Sequence, residues 1–169
     1  MLSLILFRHG KSDWDANYAS DHERPLAPRG KDAARVMGRA LAAMGQIPDL
    51  AISSSALRAR DTLQLAARAG RWRCPMRIES TLYENTPHDI IEWIAALDET
   101  PETLLLTGHE PTWSALAAKL IGGGLIRVPT GSMLRIDFDI EAWKQIGKEK
   151  GELRWLLPPK TIGRIASGK

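Results

Sequence analysis

Leu2-Ser-Leu-Ile-Leu-Phe-Arg-His-Gly-Lys-Ser-Asp13 reads as a buried strand that ends abruptly in Arg8-His9-Gly10-Lys11. Two permanent cations there flank a titratable imidazole and a glycine. Open α/β sheets bind ligands in the crevice outside the carboxyl ends of their strands. The break in the apolar run is therefore where an anion site containing a nucleophile is expected.

Outward from that strand, Trp14 to Ala27 is polar and irregular, and Arg24 before Pro25 is pushed towards an extended conformation. From Pro28 the pattern turns helical, with Ala33, Met37, Ala40, Leu41 and Met44 on one face, until Gly45 and Pro48 stop it. Asp49 to Ser54 is a second strand. Ser54 and Ser55 then suit caps for a helix from about Ala56 to Gly70, with Leu63, Ala66 and Ala67 as its buried stripe. Met76 to Glu79 predicts a third strand, and Pro87 to Leu97 an amphipathic helix with proline in its first turn. Thr103-Leu-Leu-Leu-Thr-Gly-His109 is a fourth strand, apolar enough to be covered on both faces as in a parallel sheet. Pro111 opens another helix, which Gly122-Gly-Gly closes. Ser132 to Phe138 and Glu152 to Leu157 read as two last strands around a short polar segment at Trp143, ended by Pro158 and Pro159. Alternating strands and helices followed by two strands predict a three-layer α/β/α sandwich with a mostly parallel mixed sheet.

The 169 residues, 44% hydrophobic and 25% charged, suit a single domain over residues 1–169 with one well-buried core. A net charge of +3 is spread along the chain, with a local excess at Arg58, Arg60, Arg68, Arg71 and Arg73 that favours an acidic partner. No dense basic patch with interleaved aromatics marks a nucleic-acid binder. The lone Cys74 excludes an intramolecular disulfide and has no cysteine or histidine cluster around it for zinc. Leu2 to Phe7 is too short for a membrane span and lacks the basic leader of a signal peptide, so a cytoplasmic protein is expected.

Three strand ends carry the chemistry: His9 follows the first strand, Arg58 the second and His109 the fourth. A parallel sheet presents all three at one edge. Arg8 adds a planar donor fork, Gly10 permits close backbone approach, and Arg58 sits near a helix N-terminus that itself favours anions. A neutral imidazole is a competent nucleophile, and covalent catalysis divides one hard displacement into two easier ones. Each cation about 4 Å from a phosphoryl group contributes on the order of 4 kcal/mol at an effective dielectric near 20. Arg8, Arg58 and His109 could together hold the equatorial oxygens, the task that magnesium performs in other phosphoryl transfers. No metal and no cofactor are expected. Lys11 and Ser12 suit the rim of such a site, with a solvated Lys11 the alternative. Arg24 has two readings, a pocket contact or a salt bridge that ties down its own loop. His22 and His88 read as surface residues. Among the six tryptophans, Trp14 and Trp113 lie within a few residues of these motifs.

Arg8-His9-Gly10, Arg58-Ala59 with Thr62 beyond, and Gly108-His109 resemble the core motifs of the histidine phosphatase superfamily, also called phosphoglycerate mutase-like. Arg8-His-Gly-Lys-Ser-Asp-Trp14, Asp21-His-Glu-Arg-Pro-Leu26, Arg29-Gly30, Ser55-Ala-Leu-Arg-Ala59 and Gly108-His-Glu-Pro111 resemble, more narrowly, its small SixA-like phosphohistidine phosphatases, from residue 2 to roughly 158. The resemblance implies that His9 is phosphorylated while Arg8, Arg58 and His109 bind the phosphate. Many members add a carboxylate that protonates the leaving group, and the matching position is Glu84, beyond the third strand. Imidazole, with a reference pKa of about 6.5, leaves far more readily than an alkoxide, so such an acid is less needed for phosphohistidine. Only one short helix separates Glu84 from the fourth strand, where larger relatives insert a lid. The expected substrate is a phosphohistidine on a phosphorylated protein. A small phosphate ester is the alternative substrate, and a noncatalytic phosphoprotein-binding module is the alternative of another class. Neither nucleic acid nor membrane is expected as a partner.

Overall fold

The computed structural model describes residues 1–168. Strands β1 (Leu2–Arg8), β2 (Leu50–Ser54), β3 (Met76–Glu79), β4 (Thr103–Gly108), β5 (Met133–Phe138) and β6 (Glu152–Leu157) form one sheet in the order β3-β2-β4-β1-β5-β6. The helices are α1 (Pro28–Ala43), α2 (Leu57–Gly70), α3 (Pro87–Ala95), α4 (Thr112–Leu120) and α5 (Pro159–Ala166). The pairs β1–β4, β2–β4 and β2–β3 are parallel, whereas β5 runs against both β1 and β6.

Alternation along β1 decides the layers, because successive strand side chains point to opposite faces. Leu4 and Leu6 join Leu104, Leu106, Ile90, Ile94, Trp113 and Leu116 in a core beneath α3 and α4. Ile5 and Phe7 join Leu105, Met37, Leu41, Leu63 and Ala66 in a second core beneath α1 and α2. Each such side chain, taken out of water, contributes roughly 2 kcal/mol. Both faces are covered, as the apolar runs of β1 and β4 require, and the sandwich is the expected α/β/α fold with a mostly parallel mixed sheet.

The remaining differences from expectation have local causes. Pro158 and Pro159 do end β6, but Pro159 also opens α5, since its fixed φ suits the first helical position and its missing N–H is not needed there. Ser54 and Ser55 do not cap α2. Its N-cap is Ala56, without a side-chain cap, because the two hydroxyls are taken by His109 and His22. Ser54 Oγ still accepts from the Ala56 amide at 3.3 Å. Trp143, in the stretch read as polar, is buried and donates through Nε1 to the Pro101 carbonyl at 2.8 Å. Pro87 sits at the start of α3 as expected, beside a capping box in which Thr86 and Asp89 satisfy one another's amides.

The register brings the functional strand ends level. Arg8 pairs with Gly108 across β1–β4, and Ser53 with Thr107 across β2–β4. Trp113, fully buried at the start of α4, donates from Nε1 to the Phe7 carbonyl at 3.0 Å. Its ring lies so close over Gly108 that a Cβ there would be 2.5 Å from Cζ2. α4 is thereby tied to the end of β1 immediately before Arg8.

Candidate active site

Arg8, His9, Lys11, Ser12, Arg58 and His109 line one cavity of about 220 Å³ at the carboxyl edge of the sheet. Trp14, Arg24, Glu110 and Thr130 complete the wall. Four permanent cations therefore meet one carboxylate. The balance suits a compact, doubly charged anion.

His9 is buried at the end of β1, and its Nδ1 lies 2.7 Å from the Gly10 carbonyl oxygen. A carbonyl can only accept, so Nδ1 carries the proton and Nε2 keeps its lone pair. Burial lowers the His9 pKa to about 4, helped by Arg58, Arg8 and Arg24 and opposed by the Gly10 hydrogen bond. The ring is neutral at pH 7, the state a nucleophile requires. His109 stands beside it, ring centroids 5.2 Å apart. Its pKa is lowered to about 3, again chiefly by burial and then by His9 and Arg58. His109 Nε2 lies 2.7 Å from Ser54 Oγ, while Nδ1 is buried without a partner among the described residues.

The guanidiniums are held by atoms remote in sequence. Arg8 donates to the Val128 carbonyl at 2.9 Å. Burial lowers its pKa from the ordinary value, opposed by the Glu110 carboxylate. Arg58, in the first turn of α2, donates to the Asp21 carbonyl at 2.6 Å and to Asp21 Oδ2 at 3.0 Å. Arg24 donates to Asp21 Oδ1 at 2.8 Å and to Ser12 Oγ, and its guanidinium stacks 3.6 Å from the centre of the Trp14 ring. Arg24 thus lines the cavity and also pins its own loop. Tyr83 donates to Asp21 Oδ2 at 3.0 Å. Partial burial would raise the Asp21 pKa, but Arg24, Arg58 and Tyr83 outweigh it and bring the carboxyl down to about 2. The Nε atoms of Arg8 and Arg58 are, like His109 Nδ1, buried and unpartnered among the described residues. An unpaired buried donor is costly, and an oxyanion would relieve all three.

Gly10 lies behind this cavity rather than on its wall. The close approach it permits is to Gly30: a Cβ on Gly10 would sit 2.6 Å from the Gly30 carbonyl oxygen, and one on Gly30 would sit 2.1 Å from that of Lys11. The Gly10 amide donates to Thr62 Oγ1 at 3.0 Å, and Thr62 donates in turn to the Arg58 carbonyl at 2.6 Å. The loop after β1 and the start of α2 are thus locked together. Glu84 is exposed and outside the lining, next to Tyr83, whose ring packs 5.5 Å from that of His109. His22, read as a surface residue, is half-buried, bonded to Ser55 Oγ at 2.9 Å and packed on Tyr83. His88 is exposed as expected.

Glu110 and Thr130 are wall residues that carry no expected role, although Glu110 sits inside Gly108-His-Glu-Pro111. The Glu110 carboxylate is tied to α4. Its oxygens accept from the Ser114 amide at 2.9 Å and the Ser114 hydroxyl at 2.6 Å. Ser114 Oγ then accepts from Val128 N at 3.1 Å, so Glu110 and Arg8 are braced through the same peptide stretch. Among the described residues no group of three or more His, Cys, Asp or Glu side chains could hold a metal ion.

The family model for the histidine phosphatase superfamily (branch 1) matches residues 4–89. An uncharacterised protein of Mycobacterium tuberculosis is 43% identical over 113 residues, covering 67% of this chain and 68% of its own. An uncharacterised protein of Mycobacterium leprae is 35% identical over 120 residues, covering 69% and 72%. The chain belongs to the histidine phosphatase superfamily. Within it, the solved structures that superpose well include candidate SixA phosphohistidine phosphatases. That of Nakamurella multipartita matches with a TM-score of 0.80 and 25% identity over 93% of this chain and 96% of its own. That of Agrobacterium tumefaciens matches with a TM-score of 0.77 and 26% identity over 94% and 98%. Membership accounts for the phosphoglycerate mutase-like sheet, and it makes a phosphorylated compound the ligand class of this phosphatase. No helix among the described residues is long and apolar enough to cross a membrane.

Proposed function

We propose that this histidine phosphatase hydrolyses protein phosphohistidine without a metal, through a phosphorylated His9, in the cytoplasm. The observation that carries the reading is the state of His9: neutral, with Nδ1–H committed to the Gly10 carbonyl and the Nε2 lone pair free among four cations.

In the first step, with the other ring nitrogen of the substrate phosphohistidine protonated, Nε2 forms a bond to phosphorus as the bond from phosphorus to the substrate imidazole nitrogen breaks, and the electron pair left on that nitrogen gives a neutral imidazole. Arg8, Arg58 and His109 hold the three equatorial oxygens, and their unpartnered donors find acceptors. His109 donates through Nδ1–H when Ser54 Oγ donates to Nε2. Arg24 and Lys11 add charge at the rim, with Ser12 bracing Arg24. In the second step water attacks phosphorus and restores the Nε2 lone pair. Of its two hydrogens, one stays on the released phosphate and the other passes to solvent, because the departed imidazole already carries its ring proton. No carboxylate in the cavity wall is free to act as a strong general acid, because Glu110 spends both oxygens on Ser114. That favours imidazole, a good leaving group at neutral pH, over an alkoxide. Glu84 is retained as the acid for esters large enough to reach it.

The test is turnover of a phosphohistidine peptide against a panel of phosphate esters, with and without chelator, together with rapid-quench trapping of labelled phosphoenzyme. Phosphohistidine should be preferred, chelator should have no effect, and His9→Ala should trap no label. Label on His9→Ala would identify another nucleophile. Preference for sugar or nucleotide phosphates would make the protein a small-molecule phosphomonoesterase, and binding without turnover would make it a noncatalytic module.

A further inference from the structure

A second cavity, of about 540 Å³, opens beside the first and shares Lys11 and Thr130 with it. Its other walls are Arg29, Asp32, Ala33 and Val36 of α1 and Pro159 and Lys160 of α5. The phosphoryl chemistry makes no use of these residues. Ala33, Val36 and Pro159 give the groove an apolar floor, and Lys11, Arg29 and Lys160 give it a basic rim. The acid of the lining, Asp32, is paired with Arg35 at 3.0 Å. Across α1 and α5, Arg29, Lys31, Arg35, Arg39, Lys160 and Arg164 stand against the single acid Asp32. The groove is also pre-formed. Gly131, held at φ 74 beside Gly10, leaves so little room that a Cβ there would lie 3.3 Å from Pro159 Cγ and 3.4 Å from Ala33 Cβ. The start of α5 is thus seated on α1 directly behind the loop that follows β1.

We propose that this groove docks the phosphoprotein substrate itself, by receiving an acidic amphipathic helix that lies beside its phosphohistidine. The proposal rests on the function proposed above. A continuous opening through Lys11 and Thr130 lets one ligand place its phosphoryl group in the small cavity and its neighbouring surface in the large one. An apolar floor between charged rims is the arrangement by which grooves take amphipathic helices. The excess of cations selects an acidic partner, acting more on encounter and specificity than on tightness. A compact phosphate ester fills the first cavity and leaves the apolar floor exposed to water.

The experiment compares four substrates: phosphoimidazole, a small alkyl phosphate ester that carries a second anionic group, and two helical phosphohistidine peptides of equal length, one flanked by acidic residues and one by basic residues. The proteins are the native enzyme, the double variant Arg29→Glu/Lys160→Glu, and Lys144→Glu, a change at the exposed middle residue of the turn Trp143–Gln145, which packs against α3 on the opposite layer. The native enzyme should favour the acidic peptide by about tenfold in kcat/KM, expressed in KM, as expected for electrostatic steering. The double variant should lose or invert that preference while phosphoimidazole turnover and the melting temperature hold, and Lys144→Glu should keep it. A native enzyme indifferent to peptide charge, or a double variant that keeps the preference, overturns the docking groove. So does an equal loss on phosphoimidazole, or a loss confined to a small ester that carries a second anionic group. Turnover of phosphoimidazole separates the two failures: if it persists, only the groove is wrong, and if only alkyl phosphates are cleaved, the functional reading falls and takes the groove with it.

Discussion

Asp21 organises the site without touching the central histidines. Its carboxylate and carbonyl together hold Arg58, Arg24 and Tyr83. Hydrogen bonds to charged groups contribute about 1.5–3 kcal/mol each, but this side chain is half exposed and solvent screens its share. Asp21→Ala should therefore weaken phosphoryl binding without removing the nucleophile. The expected result is a fall of about tenfold in kcat/KM, one 1.4 kcal/mol step, with phosphoenzyme still trapped on His9 and weaker product inhibition by inorganic phosphate. Glu84 tests the leaving group. Exposed and outside the cavity wall, it should be dispensable for phosphohistidine and matter for alkyl esters. Glu84→Gln should leave phosphohistidine turnover within about twofold and lower alkyl phosphate turnover by about 10²-fold, the scale of general acid catalysis. Equal losses on both substrates would give Glu84 a role in the first reaction as well.

Among the elements, the crossing of α1 over α2 sets where Arg58 begins. Gly38 packs so closely on α2 that a Cβ would lie 2.0 Å from the Ala66 carbonyl oxygen, and the Gly38 carbonyl accepts from Trp72 Nε1 at 3.1 Å. In an exposed helix, replacing glycine by alanine gains about 1 kcal/mol. Here overpacking should reverse the sign. Gly38→Ala is expected to destabilise by about 1–3 kcal/mol, seen as a lower urea midpoint with an unchanged slope. A midpoint that rises would mean that the helices can separate without cost. α5 shows the limit of reading elements from punctuation: two prolines ended the strand as expected, and the second also began a helix.

At the scale of the molecule, the buried histidines make stability depend on pH. His9 and His109 titrate at about 4 and about 3 when folded, below the ordinary 6.5. Between those values the unfolded chain binds protons that the folded chain refuses, so stability is full above about pH 6.5 and falls as pH drops towards 4. Asp21, at about 2 rather than 3.8, adds a further loss at still lower pH. The urea midpoint should drop between pH 7 and pH 5, and His9→Asn should flatten that dependence. An unchanged midpoint in the native protein would show that neither ring is buried neutral. Contiguous residues were enough for the six strands, the first four helices, the direction of the sheet and the convergence of His9, Arg58 and His109, because apolar periodicity and the chemistry of a strand end are local. The sequence also determined the family, through motifs kept in order. What holds those side chains is fixed by folding, through partners far away in the chain. Arg8 is braced by Val128, 120 residues away, Arg58 by Asp21, 37 away, and His109 by Ser54, 55 away. Folding likewise turned Gly10 from a space for the ligand into a contact with Gly30, brought Glu110 into the wall and opened the groove beside α5. Each depends on where separate segments of the chain meet, and no local pattern encodes that distance.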